Sequence, residues 1–113
     1  MIIDAHLHLD LNRFNTPAEA TAFLDEERQN ANINHCIVLH LEDQNWSKEA
    51  FADAISVFPR IHGLVNLHPL NTDCCNQLKH AVTELGYIGL KLHPRLQNFS
   101  IEEPSVVELL RKA

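Results

Sequence analysis

Cysteine, basic charge and long apolar runs are what this 113-residue chain has little of. Its three cysteines, Cys36, Cys74 and Cys75, make neither an even framework nor a CxxC pair. That excludes a disulfide scaffold and a thiolate zinc site, and suits reduced thiols in a cytosolic setting. Nine basic residues against fifteen acidic ones leave a formal charge of −6. A broad nucleic-acid or anionic-membrane surface needs a basic face, so only a local basic pocket around Lys91 and Arg95 survives that test. No stretch approaches the ~18–20 apolar residues of a membrane span. The N-terminus enters a strand at once, without the regions of a signal peptide. No linker or low-complexity segment interrupts the chain. The composition thus points to one domain over residues 1–113, cytoplasmic, with a small-molecule partner rather than nucleic acid or membrane.

Histidine, by contrast, is abundant, with eight in the chain. Two of them open it, in Ile2-Ile3-Asp4-Ala5-His6-Leu7-His8-Leu9. Strand side chains alternate, so Asp4, His6 and His8 are expected on one face and Ile3, Ala5, Leu7 and Leu9 on the other. Two imidazoles two residues apart lie roughly 6.5–7 Å apart at Cβ and can close on one ion. Every later strand also ends in a histidine: Leu39-His40-Leu41, Leu67-His68-Pro69 and Leu92-His93-Pro94. Strand C-termini are where α/β barrels and open α/β sheets place their chemistry.

Between the strands the helix signals are local. Thr16-Pro17-Ala18-Glu19 reads as a capping box, ahead of a buried stripe of Ala20, Phe23, Leu24 and Ala31. Ser47 is expected to cap a helix burying Phe51, Ala54, Ile55 and Phe58, stopped by Pro59. Asp73 is expected to cap a third, with Leu78, Val82 and Leu85 inward and Gly86 at its C-terminal turn. A fourth begins near Pro104 and carries Val106, Val107 and Leu110. Strands are expected near 2–9, 35–41, 61–68 and 87–93. The order is βαβαβαβα, with strand-end histidines spaced 32, 28 and 25 residues (His8 to His40, to His68, to His93).

Alternating units of this kind specify a parallel sheet with right-handed crossovers. Parity expects Val38 and His40, Asn66 and His68, and Gly89, Lys91 and His93 on one face. Ile37, Leu39, Val65, Leu67, Ile88, Leu90 and Leu92 then face helices. One apolar face and one face turning polar near the strand ends suit a barrel interior with a mouth site. The expected fold is therefore α/β, the first four βα units of a (β/α)8 TIM-type barrel with strand order 1-2-3-4. A closed barrel takes ~250 residues, so the chain is expected to be an N-terminal half. A homo-oligomer of half-barrels and a small four-stranded domain are the alternatives.

The opening Ile-Ile-Asp-Ala-His6-Leu-His8 resembles the strand-one signature of the amidohydrolase superfamily. Gly89-Leu-Lys91-Leu-His93-Pro94-Arg95-Leu-Gln97-Asn-Phe99 resembles the strand-four region of its amidohydrolase-2, metal-dependent hydrolase branch. The resemblance runs over essentially the whole chain. It implies a (β/α)8 barrel, a divalent metal, most often zinc, and a metal-activated water. By this match His6 and His8 are the strand-one metal ligands. Lys91 sits where binuclear members carry a carboxylated lysine, and is a conditional third. The catalytic aspartate that the resemblance implies lies beyond Ala113, so no catalytic residue is assigned within the chain.

His68, His93 and Arg95 are the candidate substrate-binding residues, with Arg95 suited to a substrate carboxylate. For Lys91, an ion pair with Asp4 is the favoured way to satisfy an inward-facing ammonium. His40 fits a capped strand end equally well, and His35, His62 and His80 read as surface residues. The leading expectation is a metal-dependent hydrolase of a small amide, lactone or ester, incomplete in this chain and binding zinc poorly by itself. The alternatives are a non-oxidative decarboxylase of the same branch, a TatD-type deoxyribonuclease, which would want a glutamate where Lys91 stands, and a non-catalytic half-barrel.

Overall fold

The computed structural model describes residues 1–10 and 12–113; Leu11, in the polar loop expected after the first strand, lies outside the described residues. Four strands alternate with four helices: β1 (Ile3–Leu7), α1 (Pro17–Asn30), β2 (His35–Leu39), α2 (Lys48–Ser56), β3 (Ile61–Asn66), α3 (Cys74–Thr83), β4 (Gly89–Lys91) and α4 (Pro104–Lys112). The strands form one parallel sheet in the order β1-β2-β3-β4. No strand skips a neighbour, as the short βα repeat demands. Each strand is shorter than its apolar run, so His8 and His40 lie one residue past a strand end and His68 and His93 two. Among the described residues no helix is long and apolar enough to cross a membrane.

The helix ends follow their local chemistry. The Glu19 amide donates to Thr16 Oγ1 at 3.2 Å, and Glu19 Oε2 accepts from the Asn15 amide at 3.2 Å. One of the unpaired donors of the helix start, the Glu19 amide, is so satisfied, while the returning bond goes to Asn15, one residue before the N-cap. The Ala50 amide donates to Ser47 Oγ at 3.1 Å. Gly86 takes φ +80°, the left-handed turn in which glycine costs nothing. Asp73 departs from expectation: it stands at the N-cap of α3 but makes no capping bond. Its carboxylate instead accepts from Asn76 Nδ2 at 2.9 Å.

The core lies between the sheet and the helices, around Val38, Phe51, Val65, Leu78, Ala81, Tyr87 and Leu109. Three expected helix stripes hold in part, with Ala20, Leu78 and Val106 buried. Ala31, Val82 and Leu110 are exposed, while Thr21, Ala81 and Leu109 are buried. Thr21 tolerates burial because its hydroxyl donates to the Pro17 carbonyl at 2.7 Å. Tyr87 stacks on Phe51, and its hydroxyl donates to the Lys48 carbonyl at 2.7 Å. That pins α2 to the strand-four side of the sheet.

Strand parity holds on β3 and β4 and fails on β2. Val38 pairs with Gly63, and a Cβ on Gly63 would lie 2.7 Å from Ile55 Cδ1 on α2. Cys36, Val38 and His40 therefore face the helices, while Ile37 and Leu39 face the opposite, inner side. β1 carries an irregularity as well. Asp4 pairs with Cys36 but Leu7 with Val38, so one extra residue is accommodated between them. The extra residue puts Asp4 on the helix side together with Leu7, and leaves His6 and His8 on the inner side.

Candidate functional site

On the inner side of the β1 end, the His6 and His8 rings approach edge to face with centroids 5.3 Å apart. Partial burial, followed by the nearby positive charge of His6 and Lys91, pushes the His8 pKa below its ordinary value. A neutral imidazole is the form that ligates a metal. Lys91 stands on the same side of the sheet, paired with Asn66 across the β3–β4 ladder. Its expected ion pair with Asp4 is absent, because the β1 irregularity turns Asp4 away. The Asp4 carboxylate accepts from the His6 amide at 3.3 Å instead. The ion pairs among the described residues are Arg28–Asp25 and Lys48–Glu49.

His68 and His93 share one local geometry. His68 Nδ1 accepts from the Leu70 amide at 3.3 Å, and His93 Nδ1 accepts from the Leu96 amide at 3.2 Å. With Nδ1 accepting, a neutral ring carries its proton on Nε2. Both rings then offer an N–H donor rather than a metal-binding lone pair. Both are half-buried, whereas Arg95 is exposed. Among the described residues no group of three histidine, cysteine or carboxylate side chains could hold a metal ion. The residues present supply two imidazoles, where a catalytic zinc site takes three protein ligands.

His40 belongs elsewhere. It is buried on the helix side, its ring edge-on to Phe51 with centroids 5.5 Å apart. Its Nδ1 accepts from the Asn66 amide at 3.3 Å. Burial first, then the Lys48 charge, pushes its pKa down. His35 and His62 are also more than surface residues. They are half-buried at the N-terminal ends of β2 and β3 and share a 3.0 Å Nδ1–Nε2 hydrogen bond. Arg60 Nη1 lies 3.3 Å from His35 Nε2, and donation there leaves the His35 proton on Nδ1.

Two residues that the sequence did not single out hold the strand ends together. Asn66 Oδ1 accepts from the Glu42 amide at 3.0 Å, and its Nδ2 donates to the Lys91 carbonyl at 2.9 Å. Gln97 Oε1 accepts from the His93 amide at 2.9 Å, and its Nε2 donates to the Leu67 carbonyl at 2.9 Å. Asn66 is buried and Gln97 half-buried, and amides satisfied at both ends order the loops around them. Gln97 stands in the stretch that carries the strand-four resemblance, four residues after His93, but in a loop with no periodicity from which its role could be read.

Against known proteins, one structural likeness stands out. A probable 2-pyrone-4,6-dicarboxylic acid hydrolase of Acinetobacter baumannii, crystallised with citric acid, superposes with a TM-score of 0.62 at 20% identity. The alignment covers 98% of this chain and 45% of that one. The fold is an α/β half-barrel. The chain spans less than half the length of that protein. No protein-family model matches the chain, and no curated protein matches it.

Proposed function

We propose that this chain is half of a metal-dependent hydrolase of the amidohydrolase type, acting on a small amide, lactone or ester. The observation that carries the reading is the His6–His8 pair at the end of the first strand, on a half-barrel whose structural neighbour is a probable hydrolase. His6 and His8 would hold zinc as neutral ligands. Zinc bound there would lower the pKa of a water and polarise the scissile carbonyl.

The other strand ends supply donors. His68 and His93 each present an Nε2–H, and Lys91 an ammonium with no carboxylate partner among the described residues. Donors of this kind suit an anionic substrate, held at a carboxylate while the reacting carbonyl meets the activated water. Arg95, exposed on the following loop, would close on the same carboxylate. The neighbour's dicarboxylic acid is a substrate of that class. The proton-shuttling aspartate of the reading is not assigned to any residue here. The same donors would serve a non-oxidative decarboxylase, and product analysis separates the two.

One copy offers two ligands, so weak zinc binding and low turnover are expected of it. The test is equilibrium dialysis against zinc, beside a lactone and ester panel, for the chain and for a His6→Ala, His8→Ala double variant. Zinc retained equally by both proteins would overturn the reading.

A further inference from the structure

We propose that Arg60, His35 and His62 form an acid-opened latch across the starts of β2 and β3, closed while both rings are neutral and opened by the first proton the pair takes up. The latch lies at the end of the sheet opposite His6 and His8, so it does not rest on the zinc reading.

Two hydrogen bonds run in series, and their direction is fixed at one end. Arg60 Nη1 lies 3.3 Å from His35 Nε2, and a guanidinium can only donate. His35 Nε2 therefore accepts, which leaves the ring proton on Nδ1. That proton goes to His62 Nε2 at 3.0 Å, so His62 carries its own on Nδ1. The ring centroids are 5.2 Å apart and the planes 29° from parallel. With the nitrogens so much closer than the centroids, the rings meet nitrogen to nitrogen rather than face to face.

One added proton cannot be placed without losing a bond. On His35 Nε2 it sets an N–H against the guanidinium. On His62 Nε2 it sets two N–H groups against each other. If His35 moves its own proton to Nε2 in order to accept from His62, that N–H again meets Arg60.

The surroundings oppose the charge as well. Among the described residues neither ring is ion-paired to a carboxylate. The charged groups that bear on His35 are Arg60 from the turn before β3, His62 from β3 and Arg28 from α1. Arg28 is held in place by Asp25 at 2.8 Å and by the Ile33 carbonyl at 2.8 Å. From the β1 side comes only backbone, the Ile2 carbonyl accepting from the His35 amide at 3.3 Å. Loss of water around the ring first, then Arg60, His62 and Arg28, push the His35 pKa below its ordinary 6.5. Both bonds are therefore whole above 6.5, and one is lost as pH falls from there toward the folded-state value.

What the latch holds is the first contact between β2 and β3. The Arg60 carbonyl accepts from the Cys36 amide at 2.9 Å, so Arg60 is tied to β2 by backbone and by side chain. Opening removes the side-chain tie and leaves the backbone bond alone.

The experiment records imidazole nitrogen–proton correlation spectra and amide exchange of the 113-residue chain from pH 8 to pH 5, beside Arg60→Gln and Arg60→Lys. Arg60 is exposed, so both variants are expected to keep the parent's circular dichroism. The parent should show Nδ1–H on both rings at pH 8, a titration shared by the two rings below 6.5, and Cys36 protection falling with it. Glutamine can turn its carbonyl to a His35 Nε2–H. In Arg60→Gln the His35 midpoint should therefore move up toward 6.5, with Cys36 protected throughout. Lysine keeps a cationic donor, so Arg60→Lys should titrate as the parent does. An Nε2–H on either ring at pH 8 overturns the proposal, as does a His35 midpoint that Arg60→Gln leaves in place. Cys36 protection that ignores the parent's titration overturns it too, and so does an equal midpoint shift at His40, which would mark a global change.

Discussion

Asn66 and Gln97, 31 residues apart, are joined by a 3.2 Å hydrogen bond from Asn66 Nδ2 to Gln97 Oε1. The same Nδ2 and Oε1 also reach the Lys91 carbonyl and the His93 amide, while Asn66 Oδ1 reaches the loop after β2 and Gln97 Nε2 the Leu67 carbonyl just past β3. The candidate substrate residues stand on backbone that these two side chains hold.

Removing Gln97 should therefore be felt at the strand ends. Gln97→Ala leaves the His93 amide and the Leu67 carbonyl without their partner, which costs about 1–3 kcal/mol for partly buried groups. Urea denaturation measures it. A loss below a few tenths of a kcal/mol would mean that water replaces the amide freely.

Gly63 should resist even a methyl group. A Cβ there meets Ile55 Cδ1 at 2.7 Å and Tyr87 Cδ1 at 3.0 Å, and the tyrosine is held by its bond to the Lys48 carbonyl. Gly63→Ala is expected to cost about 1–3 kcal/mol by overpacking. Adding Ile55→Val removes the closest methyl, so the double variant should recover part of the loss. A double variant weaker than the sum of the singles would count against this account.

His40 should make stability fall with acid. Its folded-state pKa lies below the ordinary 6.5, so the unfolded chain takes up the proton first as pH drops. The contribution is whole above 6.5 and declines as pH falls from there toward the folded-state value. Denaturation midpoints between pH 8 and pH 5 read this out. His40→Gln, neutral throughout, should show a shallower decline than the parent; parallel curves would remove His40 as the cause.

His6 and His8 should act on zinc as a unit. Loss of either leaves one imidazole, so His6→Ala and His8→Ala are each expected to abolish zinc binding nearly as fully as the double variant. Calorimetric titration with zinc distinguishes this from two independent weak sites, for which the losses would add.

Several features were legible in the sequence because their signals are local. The capping box at Thr16 and Glu19, the Ser47 cap and the left-handed turn at Gly86 each depend on a few neighbouring residues. The strand order followed from connection length, and the inward parity of β4 from the alternation of Gly89, Leu90 and Lys91.

What failed was parity where the pattern is silent. β2 is nearly continuous in apolar residues, so nothing in it says which alternate set faces the helices; pairing of Val38 with Gly63 under Ile55 decides that, and turns His40 into the core. On β1 a strict alternation was expected, but the extra residue between Asp4 and Leu7 separates Asp4 from the histidines.

By itself, then, the sequence determined the element order, the caps at Thr16 and Ser47 and the station of the histidines just past the strand ends, because these rest on short-range sterics and a repeating period. Only the tertiary structure decided which faces His40 and Asp4 occupy, which tautomers His68 and His93 adopt, and that Asn66 and Gln97 tie the strand ends together. Those depend on register and on contacts between distant residues, and a side-chain period of two reverses every face when the register moves by one.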